Sequence, residues 1–297
     1  DQGYWPDGLM TAPSDEAFVF DITLAKKAGF NMLRKHAKVE DLRFYFHCDR
    51  LGMLVWQDMV NGGSAYKHWF VTYLATLMNW NHISFSDDEK HAGLLSRLHP
   101  EGKDEFRREI TETIAFLYNH PSIVVWVPFN EGWGQFDALA ACEQIRTLDS
   151  SRLVDHASGW FDQKGGDILS LHYYFLKLKF KPESKRAAAL TEFGGYSLSI
   201  PGHSCCKKVY GYKKFNSTGT LTYGYIDLIR QTILPAVKKG IGATVYTQLS
   251  DIEEETNGIY TYDREICKID PDTLRKWNRA LKEAGECKTY ADHTTDH

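Results

Sequence analysis

The chain has 297 residues, 43% hydrophobic and 25% charged, with a formal net charge of −4. That balance is ordinary for a soluble globular protein and gives no strong pull toward nucleic acid or acidic membranes, so neither is expected as a partner. No apolar run reaches the roughly 18 residues that suggest a membrane span, and no signal-peptide pattern opens the chain, which starts at Asp1. Localisation is not legible. The aromatic content of 13% suits a sugar-binding cleft and a large core equally. Six cysteines, at 48, 142, 205, 206, 267 and 287, show neither a stapled framework nor zinc spacing. Most are expected as buried thiols, and adjacent Cys205 and Cys206 are poorly placed to pair without strain. No metal and no cofactor are expected.

Residues 1–13 are rich in Gly, Pro and aromatics and read as a loop with a strand tip at 1–5. Ser14 with Asp15 and Glu16 starts a helix that Gly29 stops. A short strand over 30–33 ends in Arg34-Lys35-His36. A second helix over 41–51 stops at Gly52, and a strand over 53–56 ends in Gln57-Asp58. Residues 61–100 form a segment too long for an ordinary connection, expected as a functional loop with some helix. Phe106, Ile110, Ile114 and Leu117 place a helix over 105–118. The run Ile123-Val124-Val125-Trp126-Val127 is β-branched and aromatic, and reads as a strand buried on both faces. It ends abruptly in Asn130-Glu131.

A helix over 136–148 follows, then strands over 152–157, 167–171 and 187–191. The last two end in His172-Tyr173-Tyr174 and in Glu192-Phe193-Gly194-Gly195. Residues 198–222 form a second long loop. A helix over 223–239, a strand over 242–247 ending in Gln248, and a helix over 271–284 complete the order. Residues 286–297 read as a polar tail. Alternating short apolar strands and helices predict a parallel α/β fold, and eight strands over this length suit a (β/α)₈ TIM barrel over residues 1–285, its first strand truncated. A doubly wound open sheet is the alternative, but no Gly-x-Gly-x-x-Gly or Walker-type loop supports a nucleotide-binding version.

Polar residues gather at the C-terminal ends of these strands: Arg34 and His36, Gln57 and Asp58, Asn130 and Glu131, His172 and Tyr174, Glu192, and Gln248. In a barrel such ends converge on one face, where active sites lie. A carboxylate at the end of a buried strand is costly unless a partner or a function keeps it there. Glu131 and Glu192 both stand at such ends, expected about 5 Å apart over a common hollow, and paired carboxyls are what glycosidic cleavage requires. Asn130 is placed to bond a sugar 2-hydroxyl.

Phe129-Asn130-Glu131-Gly132-Trp133-Gly134 and Leu190-Thr191-Glu192-Phe193-Gly194-Gly195 resemble the two catalytic signatures of glycoside hydrolase family 2. Arg34, the run from Leu51 to Asp58, and Tyr246-Thr247-Gln248 resemble strand ends of that family's barrel. The resemblance implies a retaining exo-β-glycosidase acting on a carbohydrate, β-galactosidase-like in the leading reading, with Glu131 as acid/base and Glu192 as nucleophile. Arg34 would keep Glu192 ionised. His36, Asp58, Asn130, Trp133, His172, Tyr174 and Tyr246 would line the sugar site. It also implies β-sandwich domains upstream.

The chain departs from the family pattern in places. Arg34-Lys35-His36 stands where many members carry Arg-x-x-His, and Tyr246 where many carry Trp. Trp56-Gln57-Asp58 resembles the mannosidase branch, but the surroundings of Glu131 do not follow it. The Asn-x-Lys pair with which family glucuronidases hold the sugar carboxylate is not found. An endo-acting barrel glycanase and a non-catalytic carbohydrate-binding barrel are the alternatives.

Overall fold

The buried run forms its strand where the sequence places it, and the rest of the chain alternates around it. The computed structural model describes residues 1–81, 83–174 and 178–292, with side chains to 286. In chain order the elements are α1 (Asp15–Lys27), β1 (Met32–Lys35), α2 (Leu42–Leu51), β2 (Leu54–Asp58), α3 (Ala75–Trp80), α4 (Pro100–Leu117), β3 (Ile123–Val127), α5 (Ala138–Leu148) and β4 (Leu153–Val154). There follow β5 (Ile168–Tyr173), β6 (Ala187–Gly194), β7 (Tyr196–Ser197), β8 (Lys213–Lys214), α6 (Thr218–Leu228), α7 (Leu234–Lys239), β9 (Ile241–Thr247) and α8 (Pro271–Asp292).

Contacts divide the chain into two compact units, each drawn from separate segments. One takes Asp1–Leu33, Tyr173–Pro182 and Glu192–His297; the other takes Arg34–His172 and Glu183–Thr191.

In the second unit the strand order is β1-β2-β3-β4. The β2–β3 and β3–β4 pairs are parallel, with Asp58 opposite Val127 and Trp126 opposite Val154. That register brings Asp58 and Asn130 to the same end of the sheet. Helix α2 begins at Asp41, whose side chain accepts from the Arg43 N–H, and ends at Gly52 with φ 67°. Both stops are the ones their residue types favour. Helix α4 buries Phe106, Ile110, Ile114 and Leu117 as its spacing predicts. It starts five residues before the expected 105, because Pro100 sits in its first turn, where a missing N–H costs nothing. The long segment after β2 carries a π-helical turn, Trp69–Leu74, continuous with α3. Phe70, Val71, Ala75 and Leu95 of that segment bury themselves against Trp160 and Phe161, so the expected loop is a folded insertion with its own apolar cluster.

In the first unit, α6 opens on a capping box between Ser217 and Thr220, and so starts at Thr218 rather than 223. A π-helical stretch, Ile229–Ile233, joins it to α7, whose first turn holds Pro235. A proline there removes one regular bond, which the wider turn accommodates. Helix α8 continues to Asp292, overrunning the tail expected from 286; residues 293–297 lie outside the described residues. The run of Lys, Glu and Ala after Leu281 is polar but helix-favouring, and polarity alone did not end it. Of the five described cysteines only Cys48 and Cys142 are buried, against the expectation that most would be. Cys205 and Cys206 are free thiols with sulfurs 3.9 Å apart.

Candidate active site

Beyond β3 the chain turns sharply at Asn130–Gly134. Asn130 pairs in parallel with Ser158. The Glu131 N–H donates to the Ser158 carbonyl and the Ser158 N–H to the Phe129 carbonyl, both at 2.9 Å. Glu131, Gly132 and Gly134 all take left-handed φ, at 51°, 73° and 69°. A Cβ on Gly132 would stand 2.2 Å from the Phe161 ring, and one on Gly134 would stand 2.1 Å from the Gly62 carbonyl oxygen. Those contacts explain both glycines. Glu131 has no such excuse: a non-glycine residue held at positive φ marks a constrained position, and such positions concentrate at functional sites.

The Glu131 carboxyl is partly exposed, and its Oε1 lies 2.8 Å from His172 Nδ1. The His172 side chain is wholly buried. Its Nε2 lies 3.1 Å from Ser158 Oγ, and the Ser158 hydroxyl donates to Thr191 Oγ1 at 3.1 Å. Thr191 Oγ1 in turn shares a short bond with Ser170 Oγ. Gly159, at φ 83°, leaves the space the imidazole occupies, since a Cβ there would lie 2.6 Å from Nδ1. The partner of Glu131 is therefore a histidine sealed from water and seated on a cluster of buried hydroxyls.

Arg34 is buried at the end of β1. Its Nε and Nη2 donate to the two Asp58 oxygens at 2.9 Å each, Nη2 also to Asn130 Oδ1 at 2.9 Å, and Nη1 to the Thr191 carbonyl at 3.1 Å. His36 Nδ1 stands 2.8 Å from Asp58 Oδ2, and the Ala37 N–H donates to the same oxygen. Burial alone would raise the Asp58 carboxyl, but the Arg34 guanidinium and His36 outweigh it and hold it down to about 2. Asp58 thus anchors Arg34 and His36, and Arg34 orients Asn130. Trp133 is partly exposed, its ring edge against Tyr66 and its Nε1 donating to the Ser64 carbonyl at 3.4 Å.

In the first unit Tyr174 donates its hydroxyl to Glu192 Oε2. The Tyr174 ring stacks on Tyr212, centroids 3.9 Å apart and planes 16° from parallel. Gly195, at φ 62°, permits that stack, because a Cβ there would lie 2.5 Å from Tyr212. Tyr246 is a buried ring packed edge-on against Phe193 and Tyr225, and burial pushes its phenol well above the usual range. A Cβ on Gly194 would strike it at 2.6 Å. Gln248 Nε2 donates to Asn257 Oδ1 and Glu255 Oε2. His203, Asp263 and Glu265, also in this unit, bring possible metal-ligating atoms within 4.8 Å, though Asp263 already accepts from Thr261 and the Glu265 N–H.

In the second unit the structure brings Arg34, His36, Asp58, Asn130, Glu131 and His172 into one network, with Trp133 beside it. In the first it joins Tyr174 to Glu192 and seats Tyr246 in the core. Sequence reading missed the hydroxyls Ser158, Ser170 and Thr191, the stacking ring Tyr212, and Asp155. Only Asp155 carried a legible signal, a charged residue closing an apolar strand, the same pattern that picked out Asp58. Asp155 is fully buried, and neither of its carboxyl oxygens completes a hydrogen bond. Burial pushes it up to about 6, against the pull of Arg34 and His156.

Comparison with known proteins follows the same lines. The family model described as "Glycosyl hydrolases family 2, TIM barrel domain" matches residues 12–233. A β-galactosidase of Leuconostoc mesenteroides is 25% identical over 303 aligned residues, covering 97% of this chain and 25% of that protein. A β-mannosidase B of Thermothelomyces thermophilus is 32% identical over 94 residues, covering 32% of this chain and 8% of its own length. The solved structure of a family 2 β-galacturonidase from Eisenbergiella tayi, bound to galacturonate, superposes with a TM-score of 0.63 at 18% identity, over 94% of this chain and 49% of that one. This likeness concerns the fold alone. The chain spans a quarter or less of these two curated relatives and about half of that solved chain. With its parallel strands and alternating helices, the chain has the TIM-barrel fold and belongs to glycosyl hydrolase family 2.

Proposed function

We propose that residues 1–285 form the catalytic barrel of a retaining exo-β-glycosidase that removes terminal β-linked sugars, with β-galactosides the leading substrate. Glu192 attacks the anomeric carbon and forms a glycosyl-enzyme while Glu131 protonates the departing oxygen. Glu131 then takes a proton from water, which releases the sugar with its configuration retained. The Tyr174 hydroxyl bond favours the ionised form of Glu192, as a nucleophile requires. Arg34 adds positive charge for the same purpose and, through its bond to Asn130, fixes the amide offered to the sugar 2-hydroxyl.

The observation that carries this reading is the hydrogen bond between Glu131 and a buried His172, at the end of a buried strand in a family 2 barrel. A general acid has to be held in place, and a bond to a buried imidazole orients the carboxyl in a way that solvent cannot. The galactoside preference draws on the β-galactosidase relative aligned over 97% of the chain. It draws also on the sequence itself, which contains no Asn-x-Lys tripeptide.

The test is a panel of aryl β-galactosides, β-mannosides and β-glucuronides, with Glu192→Gln and Glu131→Gln beside the wild type. Turnover is expected for the galactoside, with the β-anomer formed first by NMR. Glu192→Gln should abolish turnover while circular dichroism stays unchanged. A folded Glu192→Gln protein with wild-type rate would refute the assignment. Cleavage of internal polysaccharide bonds alone would move the reading to an endo-acting glycanase.

A further inference from the structure

We infer that Tyr212 is a positioning residue: its ring, carried in on the long segment 198–222, holds the Tyr174 phenol against Glu192. All three residues belong to one unit. Tyr174 follows directly on β5, and its hydroxyl donates to Glu192 Oε2. Thr247 Oγ1 lies 3.5 Å from the same hydroxyl. A bond at the tip of a phenol leaves the two side-chain torsions to be set by other contacts, and such a bond weakens steeply as its angle opens. The face of the Tyr174 ring rests on Tyr212, with centroids 3.9 Å apart and planes 16° from parallel. A stacked ring blocks the swing toward that side.

The chain places Tyr212 with several independent ties. The Tyr212 N–H donates to the Gly195 carbonyl at 3.1 Å, just past Glu192. Directly after Tyr212, β8 pairs in parallel with β7, Lys213 opposite Tyr196 and Lys214 opposite Ser197. Before it, the Tyr210 N–H donates to the Glu254 carbonyl at 2.7 Å, and the Tyr210 ring meets Tyr212 edge-on. A Cβ on Gly195 would stand 2.5 Å from the Tyr212 ring and 3.1 Å from the Tyr174 ring, and one on Gly211 would stand 2.3 Å from Ser197 Cβ. The strand end that carries Glu192 and the segment that carries Tyr212 are thus fastened to each other. Core packing does not account for the ring: Tyr212 is 39% exposed, whereas Tyr246, which does pack in the core, is 8% exposed. With Tyr212 in place the phenol hydrogen stays aimed at Oε2, which favours the carboxylate form of Glu192 and fixes its rotation. The catalytic consequence rests on the glycosidase reading proposed above, but the Tyr174–Glu192 bond is a property of the resting protein.

Two measurements on the full chain test this, with each variant checked for folding by thermal melting. Carbon-13 NMR of protein labelled at tyrosine Cζ reads the phenol, the Tyr174 signal being assigned by its loss in Tyr174→Phe. Glu192→Gln should move that signal, because the phenol no longer donates to an anion. Tyr212→Ala should move it in the same direction, and Tyr212→Phe, which keeps the ring, should leave it in place. On an aryl β-galactoside, kcat/KM should fall about 2–10-fold in Tyr212→Ala and stay within about twofold of wild type in Tyr212→Phe. The double variant Tyr174→Phe with Tyr212→Ala should lose no more than Tyr174→Phe alone, since a ring that acts through the phenol adds nothing once the hydroxyl is gone. A Tyr174 signal unmoved in Tyr212→Ala, or losses that add in the double variant, overturns the inference. Equal losses in Tyr212→Ala and Tyr212→Phe assign the effect to the Tyr212 hydroxyl and refute the role of the ring. A signal that moves as expected in a protein that turns over no glycoside supports the stack and refutes the glycosidase reading instead.

Discussion

Replacing Asp58 by Asn separates charge from shape at the point where the second unit holds most of its site together. The amide keeps the volume but removes the anion that receives two Arg34 bonds and the His36 and Ala37 bonds. Arg34 and Asp58 are both almost wholly buried, with side chains 2% and 3% exposed. Breaking such a pair takes the carboxylate partner from a guanidinium in a poorly solvated place, which costs about 3–5 kcal/mol. The proton linkage supplies an independent part of that figure. The Asp58 carboxyl falls from 3.8 unfolded to about 2 folded. A depressed carboxyl contributes stability above its unfolded value and loses it as pH drops through the folded one, here about 2 kcal/mol.

Urea unfolding followed by tryptophan fluorescence, at pH 7 and again near pH 3, measures both. The gap between wild type and Asp58→Asn should be about 3–5 kcal/mol at pH 7 and begin to narrow near pH 3. A gap under about 1 kcal/mol at pH 7 would mean that water reaches Arg34, and the reasoning about its anchoring fails.

Two further outcomes follow from the same structure. Asp155 shifts the opposite way, up to about 6, so its ionised form destabilises the fold as pH rises from 4 through 6. Asp155→Asn should therefore gain up to about 3 kcal/mol over wild type at pH 8, with the difference vanishing below pH 4. Melting curves across that range check it, and a gain that persists at pH 4 would show a cause other than charge. Gly132→Ala forces a Cβ into the Phe161 ring at positive φ, and should lower stability by at least about 1 kcal/mol by urea unfolding. An unchanged midpoint would mean that the turn carrying Glu131 relaxes freely.

Local chemistry fixed much of this protein from its sequence. The run at 123–127, the Asp41 and Gly52 caps and the apolar spacing of α4 fall where residue type puts them, because turns, caps and burial periodicity act over a few neighbours. The two glutamate signatures were legible because a charge at the end of a greasy strand breaks a pattern visible in a single segment. Family membership followed from them.

Only the tertiary structure decided the partners. That His172 faces Glu131 rather than solvent depends on Gly159, a residue thirteen places earlier that clears room for the ring. That Asp58 meets Arg34 and His36 depends on β1 and β2 lying side by side in the sheet. Tyr246 sits at a strand end as the other candidates do, yet Phe193 and Tyr225 enclose it. Ser158, Ser170 and Thr191 are ordinary hydroxyl residues in sequence. They become one buried cluster only because β5, β6 and the bridge at Ser158 beyond β4 bring their oxygens within bonding distance, and no short stretch of sequence encodes a contact between segments that far apart.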